Sequence, residues 1–216
     1  MKKGLLNQIA EDYWALLPNA QEWTRKGAEC MRRSGEWVQI LGFNASRFDD
    51  RYIPRCALQF LWIAGPASGS FVPQELKTDK GAQRWISKGE HADRREKIFA
   101  AMLDQFKPRI DGPLKSEEVV LLLQQDASSY WPHAYALAIV EARAGRREAA
   151  ALRLQEVRAR ADFASNAHIR DRSIELAALL EARDSQEMQL HLEAAERAML
   201  DSLHLKEDGS LREPSS

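Results

Sequence analysis

Residues 28–43, AECMRRSGEWVQILGF, decide the fold of the first half of the chain. Residues 28–33 are typical of a strand, Ser34-Gly35 is a turn signal, and apolar residues then recur from Trp37 to Phe43. Two strand patterns joined by so short a turn predict an antiparallel β-hairpin with a two-residue loop. We therefore expect the first half of the chain to be organised around a sheet.

Two more strands are predicted after this hairpin. Residues 44–54 are polar and turn-rich, whereas residues 56–63, CALQFLWI, are apolar almost throughout and favour a central strand with both faces covered. Residues 64–73 hold two glycines, two prolines and two serines, which predicts a loop that runs on to about residue 81. Residues 85–86, Trp-Ile, are assigned to a short fourth strand.

Helical periodicity accounts for the remaining segments. Apolar residues recur at helical spacing near the N-terminus and throughout the second half of the chain. The predicted helices span residues 2–17, 92–106, 116–126, 131–145, 147–161, 167–183 and 186–203, with Pro108 ending the second of them. Residues 206–216 are polar and are expected to form a frayed tail.

An internal repeat organises the C-terminal helices. Residues 136–158 and 176–198 resemble each other at an offset of 40, and VEAR at 140–143 matches LEAR at 180–183. Such an offset favours stacked helical hairpins. The first copy resembles a tetratricopeptide unit, although Ala134 stands at the usual Trp position and Asp162 at the usual closing Pro position.

These patterns together predict an α+β protein. We expect a small antiparallel sheet of three or four strands packed with helices, followed by an all-helical C-terminal region of two helical hairpins. The expected divisions are an α+β sheet domain at 1–127, a helical-hairpin region at 128–205 packed on it, and a flexible tail at 206–216.

Composition favours a globular protein of ordinary charge. Of 216 residues, 44% are hydrophobic and 29% charged, and the net charge is −1. Residues 1–115 carry 19 Lys/Arg against 14 Asp/Glu, and residues 116–216 carry 12 against 18, which marks either a partner surface or mutual neutralisation of the halves. No apolar run is long enough for a membrane span or a signal peptide, so the expected location is the cytoplasm.

No set of residues with catalytic, metal or cofactor chemistry is predicted. The five histidines are scattered, without His-x-x-x-His spacing. Cys30 and Cys56 lie among apolar neighbours in predicted strands, where we expect them to behave as small hydrophobic side chains. Ser68-Gly69-Ser70 matches neither a nucleophile elbow nor a phosphate-binding loop.

Arginine and aromatic residues alternate in the connection before the third strand. Arg47, Phe48, Arg51, Tyr52 and Arg55 have the composition of a protein-binding hot spot, and they also suit RNA stacking. The alternative is a solvated loop with Arg–Asp pairs, because two aspartates lie between the arginines. Of the six tryptophans, most are expected in the core, and Trp62 is the candidate for a groove that binds a ligand.

The first half of the chain also resembles a known family. Lys26-Gly27-Ala28, then residues 30–40 and then Asn44-Ala45-Ser46-Arg47-Phe48 are similar to the bacterial domain-of-unknown-function family 4304, over about residues 5–127. Asn44 stands where that family usually has Gln, and residues 57–60 replace its Asn-Leu-Gly-Ile strand. The resemblance implies an accessory protein of bacteria, in some relatives an immunity protein, and implies no chemistry.

The functional expectation is a non-catalytic protein-binding accessory protein. Its sharpest form is a bacterial immunity protein that neutralises a toxin by electrostatic steering and burial. One alternative is a small-ligand-binding or enzymatic domain that uses a sheet–helix cleft under the 64–81 loop. A weaker alternative is RNA binding. The expected partner is another protein, without a membrane or a cofactor.

Overall fold

The computed structural model describes residues 3–62, 71–110, 112–126, 131–159, 167–182, 185–203 and 205–206. The described residues form two compact units. The first unit contains residues 3–59, 73–110 and 112–113. The second contains residues 60–62, 71–72 and the described residues from 114 onward.

The first unit contains both helices and strands, whereas the second unit is helical apart from the strand residues it takes in at 60 and 71–72. The elements are α1 (Lys3–Trp14), a short 3-10 helix (Ala20–Glu22), β1 (Thr24–Lys26), β2 (Glu29–Ser34), β3 (Trp37–Ala45), β4 (Arg51–Phe60), β5 (Phe71–Glu75), β6 (Ile86–Ser87), α2 (Lys88–Ile110), α3 (Ser116–Asp126), α4 (Trp131–Arg143), α5 (Arg147–Arg158), α6 (Ala167–Ala182) and α7 (Ser185–Leu203). The predicted α+β class is confirmed.

The sheet is built around the predicted hairpin. Its strand order is β1-β2-β3-β4-β5, and β6 also pairs with β4. Pairing of Cys30 with Leu41 and of Ser34 with Trp37 leaves Gly35-Glu36 as the two-residue loop. Gly35 has a φ of +61°, which a residue with a side chain adopts only at a cost, so the loop begins at this glycine, one residue later than the turn signal indicated.

The sheet has more strands than the three or four that the sequence predicts. β1 is additional, and β4 starts at Arg51, inside the segment 44–54 that was predicted to be turn-rich. Pro54 is accommodated in β4 because its carbonyl still accepts a hydrogen bond, from the backbone N–H of Leu76 at 2.9 Å. The predicted central position of the third strand is confirmed, since β4 has neighbours on both sides.

The prediction of a loop over residues 64–81 is wrong for part of its length. Phe71–Glu75 is strand β5, and Lys77 forms an antiparallel bridge with Gln83. Residues 63–70, which include the end of the predicted third strand and Ser68-Gly69-Ser70, lie outside the described residues. So do residues 207–216 of the predicted tail.

One face of the sheet packs against α1 and α2 to form the core of the first unit. Tyr13 of α1 stacks on Phe43 of β3 and on Phe99 of α2, with ring centroids 5.4 and 5.6 Å away. Each such ring contributes roughly 2–3 kcal/mol on burial. The aliphatic and thiol side chains around these rings are buried as well, including Ile9, Cys30, Leu41, Cys56, Ile98 and Met102.

Helix α2 is longer than the predicted range 92–106. It starts at Lys88, departs from helical geometry at Arg94 (φ −137°, ψ 17°), and continues past Pro108 to Ile110. Its C-terminal end is held from the sheet, because Gln39 donates to the carbonyl of Arg109 at 2.6 Å and Arg32 to that of Ile110 at 2.8 Å. These hydrogen bonds satisfy carbonyls that a helix end leaves without partners. They offset the loss of the helical hydrogen bond that Pro108, which has no backbone N–H, cannot donate.

The second unit stacks its helices in sequence order. α4 packs against α3 and α5, α5 against α6, and α6 against α7. Gly145, with a φ of +74°, ends the turn between α4 and α5. Equivalent positions of the 40-residue repeat agree only in part in their burial. Val140 and its counterpart Leu180 are both buried, but Leu152 is 57% exposed whereas its counterpart Leu192 is buried. No helix among the described residues is long and apolar enough to cross a membrane.

Candidate functional site

The connection between β3 and β4 forms a structured tip, which we call the β3–β4 tip (residues 46–51). The hydroxyl oxygen of Ser46 accepts hydrogen bonds from the backbone N–H groups of Phe48 and Asp49, at 3.2 and 3.3 Å. The backbone N–H of Ser46 donates to the carbonyl of Arg51 at 2.8 Å and closes the base of the turn. The loop therefore has a defined conformation fixed by its own side chains.

Phe48 projects from this tip with 98% of its surface exposed. The other large hydrophobic residues exposed in the described parts of the chain, Leu121, Leu152, Ile174 and Leu190, are between 51% and 59% exposed. Isolated exposed hydrophobic residues are ordinary, but Phe48 differs from the others in being aromatic and almost fully exposed.

Charged side chains flank the ring. Arg47 is exposed, and the guanidinium of Arg51 donates to the carboxylate of Asp49 at 2.6 Å. This hydrogen bond lowers the pKa of Asp49 and raises that of Arg51. The Arg–Asp pair of the alternative interpretation is therefore present in this loop, next to the exposed Phe48 ring.

The other three candidate binding residues do not lie on this exposed surface. Tyr52, the first β4 residue after the tip, points into the core and is fully buried. Arg55 forms an ion pair with Glu29 at 2.7 Å, with 19% of its side chain exposed. Trp62 is buried in the second unit, where the guanidinium of Arg143 lies 5.0 Å from its ring centroid.

The Glu29–Arg55 pair spans a strand. Glu29 is on β2, Arg55 is on β4, and β3 lies between them with Gly42 at the crossing. A Cβ atom at position 42 would lie 3.1 Å from Cγ of Glu29. The absence of a side chain at Gly42 therefore leaves room for the two charged chains to meet.

A chain of four polar side chains crosses the core of the first unit, and sequence reasoning missed it. The hydroxyl of Tyr13 lies 2.6 Å from that of Tyr52, which lies 2.8 Å from Nδ1 of His91. The other ring nitrogen, Nε2, lies 3.0 Å from the carboxylate of Asp12. We call this set the Asp12–His91–Tyr52–Tyr13 chain.

One assignment of donors and acceptors satisfies every member of this chain. If His91 donates from Nε2 to Asp12, its Nδ1 accepts from Tyr52, and Tyr52 in turn accepts from Tyr13, so that every member has a partner. Burial raises the pKa of both tyrosines well above the ordinary value of 10. Neither of the two clefts described below is lined by these residues. The arrangement satisfies buried polar groups and stabilises the contact of α1, β4 and α2.

The remaining nucleophile and metal-ligand candidates stay apart. Burial raises the pKa of Cys30 and of Cys56 to about 12, which leaves both thiols protonated and unreactive at neutral pH. His191 lies 3.7 Å from Glu175 of the neighbouring helix, and burial lowers its pKa. Within the described residues, no group of three or more His, Cys, Asp or Glu side chains is placed to hold a metal ion.

The described surface has a cleft in each unit. One, of about 320 Å³, lies in the first unit between the turn after α1 and the end of α2. The other, of about 650 Å³, runs between α5 and α6, with Leu154 and Leu180 among its lining residues and Arg147, Arg158 and Glu181 among its charged ones. Neither cleft is lined by a described residue of the predicted 64–81 loop.

Comparison with known proteins found no matching protein-family model, curated protein or solved structure. The candidate site is therefore argued from its geometry.

Proposed function

We propose that this chain acts by binding another protein, and that the β3–β4 tip supplies the central contact. The observation that carries the proposal is the exposure of Phe48, 98% of whose surface faces solvent on a turn that Ser46 holds in place. Aromatic and arginine side chains supply most of the binding energy at many protein interfaces. Because the turn is ordered before a partner arrives, little conformational entropy is lost on binding.

The chemistry of the tip indicates the kind of partner. An apolar pocket would accommodate the Phe48 ring, and an acidic rim would pair with the exposed Arg47. Arg51 already has a carboxylate partner in Asp49, so it contributes less to a new ion pair.

RNA binding is supported less well by the same geometry. Tyr52 is buried and cannot stack on a base, and Arg55 is paired with Glu29. Of the five residues proposed for stacking, Phe48 alone offers an exposed aromatic face. Single-strand binding normally uses several such platforms along a basic groove.

Toxin neutralisation is the sharper form of the proposal. Residues 1–115 carry five more basic than acidic residues, and residues 116–216 carry six more acidic than basic ones. Such a polarised chain orients a charged partner during encounter, and inhibition by coverage requires no reactive group. The resemblance to family 4304 stays a prediction and adds no chemistry to this proposal.

A photo-crosslinking amino acid at position 48 tests the proposal. The crosslinking amino acid replaces Phe48 in cells that express the full chain. As the control, it replaces the exposed Leu152 instead. The affinity of the partner identified at position 48 is then measured for the wild type, Phe48→Ala and Leu152→Ala. We expect Phe48→Ala to weaken binding about 30-fold, the size of a hot-spot loss, and Leu152→Ala to change it less than twofold.

Equal affinities of the two alanine variants and the wild type would contradict the proposal. The toxin form has its own readout, since co-expression with the product of a neighbouring gene should arrest growth only when the tip is altered. If cells that express that product grow equally well with and without this protein, toxin neutralisation is excluded and other protein partners stay open.

A further inference from the structure

The smaller cleft combines apolar walls with polar groups of both signs. Its apolar side is formed by Leu17 and Ile110, which are buried, and by half-buried Leu103. Asp104 and Lys107, on the exposed side of α2, lie at its edge. Its volume of about 320 Å³ is at the lower end of the range for small-molecule sites.

A buried guanidinium lines the same cleft. Arg32 is 5% exposed and donates from Nε to Gln39, from Nη1 to Glu22, and from Nη2 to the carbonyls of Ile110 and Gly112. The ring of Trp23 lies 4.6 Å from its central carbon. These contacts use four of the five N–H groups of a guanidinium, and within the described structure the fifth, on Nη1, has no acceptor. Arg32 is thus a rigid cation that is ion-paired with Glu22 at 3.0 Å and has one N–H group to spare.

Asn19 contributes an amide at the mouth of the cleft. Its backbone is left-handed (φ 54°, ψ 42°), and its carbonyl accepts the N–H of Glu22 at 2.9 Å. Glycine adopts this conformation without strain and asparagine at small cost, so the turn itself does not require the side chain. Neither the Asn19 amide nor the Asp104 carboxylate has a hydrogen-bond partner among the described residues.

We propose that this cleft binds a free amino acid with a large apolar side chain. The ligand carboxylate pairs with Arg32 and Lys107. The ligand ammonium group pairs with the Asp104 carboxylate and the side-chain amide oxygen of Asn19, and the ligand side chain contacts the apolar wall. A simple carboxylic acid would leave Asp104 without a cation. A simple amine would offer no anion to Lys107 or to the remaining N–H of Arg32, whose other Nη1 position is paired with the Glu22 carboxylate. This activity is separate from protein binding at the β3–β4 tip.

Titration of the full chain with three probes tests the ligand class. The probes are L-phenylalanine, 3-phenylpropionate, which lacks the ammonium group, and 2-phenylethylamine, which lacks the carboxylate. Calorimetry should give saturable binding of L-phenylalanine with a Kd of about 1 mM or tighter, and at least about tenfold weaker binding of the other two. Absence of L-phenylalanine binding, or equal binding of all three, overturns the proposal.

Three variants test the assignment of residues. Asp104→Asn should weaken L-phenylalanine binding about tenfold while leaving 3-phenylpropionate unchanged. Asn19→Gly preserves the left-handed backbone, so a several-fold loss of affinity reports the amide alone. Asp79→Asn, on the exposed turn between Lys77 and Gln83, is the matched control and should bind like the wild type. Because the altered side chains are exposed, circular dichroism should be unchanged, and wild-type affinity of Asp104→Asn contradicts the assignment.

Discussion

The hydroxyl oxygens of Tyr13 and Tyr52 lie 2.6 Å apart in the core of the first unit, although 39 residues separate them in the chain. The Tyr52 hydroxyl is also 2.8 Å from Nδ1 of His91, and the Tyr13 hydroxyl makes a longer contact of 3.3 Å with the same nitrogen. Tyr52 therefore holds the middle of the Asp12–His91–Tyr52–Tyr13 chain and Tyr13 its end. The two hydroxyls are expected to differ in what their removal costs.

Tyr52→Phe should destabilise the protein more than Tyr13→Phe. Loss of the central hydroxyl removes the short bonds to Nδ1 of His91 and to Tyr13, and each buried group left unsatisfied costs about 1–3 kcal/mol. Loss of the terminal hydroxyl leaves the bond from Tyr52 to His91 intact and should cost about 1 kcal/mol. Urea unfolding of both variants and of the double variant measures the difference. Equal costs would contradict the predicted difference between the two hydroxyls, and strictly additive ones would show that the hydroxyls are not coupled.

Stability should fall as the pH rises above about 9. The pKa of each buried thiol, Cys30 and Cys56, is raised from an ordinary 9.0 to about 12, so the unfolded chain releases these protons first. The folded state then binds more protons than the unfolded state, and the free energy of unfolding decreases with pH, by at most about 1.4 kcal/mol per pH unit for each group. The raised pKa of Tyr13 and of Tyr52 acts in the same direction above pH 10.

Unfolding curves of the wild type and of Cys30→Ala between pH 8 and 11.5 measure this dependence. The variant should be less stable at pH 8 because of the lost packing, but its stability should decline less steeply above pH 9. Parallel declines would contradict a protonated, buried thiol at position 30. Cys56→Ala provides an independent repeat of the comparison.

Local patterns predicted the hairpin but not the edge of the sheet. In residues 28–43 the alternation and the turn lie within one short stretch, so that segment is read correctly without knowledge of its neighbours. Strand β5, FVPQE, contains Pro73 and follows a stretch rich in glycine, proline and serine. Its extended form depends on pairing with β4, and as an outer strand it tolerates a proline. Pairing between distant residues is not encoded in either segment alone.

The candidate site was predictable to a similar degree. Arginine and aromatic residues in one connection drew attention to the β3–β4 tip. Tyr52, however, lies in β4, a strand buried along most of its length, and is itself fully buried. The polar chain joins α1, β4 and α2, and His91 is 79 residues from Asp12. No spacing rule finds such a set, because only the tertiary fold brings its members together.

Gly42→Ala should separate Glu29 from Arg55. The added Cβ would lie 3.1 Å from Cγ of Glu29, so the carboxylate must shift from its position 2.7 Å from Arg55. Since both side chains are partly exposed, the lost pair is worth no more than about 1 kcal/mol. In a Glu29→Ala background the same change should be neutral or stabilising, because the crowding is gone and alanine has less backbone freedom than glycine in the unfolded chain.

A thermodynamic cycle with Gly42→Ala and Glu29→Ala measures this coupling by chemical unfolding. Gly89→Ala is the control, since a Cβ atom there meets nothing within 4 Å. A cost of Gly42→Ala that is the same in both backgrounds would mean that the clash with Glu29 is not what glycine avoids at this position.

Ser46→Ala should weaken partner binding without altering the fold. The Ser46 hydroxyl accepts the N–H groups of Phe48 and Asp49, so its loss frees the backbone that carries the exposed ring. The interface would then have to order the turn on binding, at about 1–2 kcal/mol for each residue fixed, which predicts a roughly tenfold loss of affinity. Ser46→Thr keeps the hydroxyl and should retain most of the affinity, whereas Phe48→Ala removes the contact itself.

Because a preordered turn also favours productive encounters, the loss in Ser46→Ala should include a slower association rate, whereas that in Phe48→Ala should lie mainly in faster dissociation. Surface plasmon resonance separates the two rates, and wild-type kinetics for Ser46→Ala would show that the order of the tip does not contribute to binding.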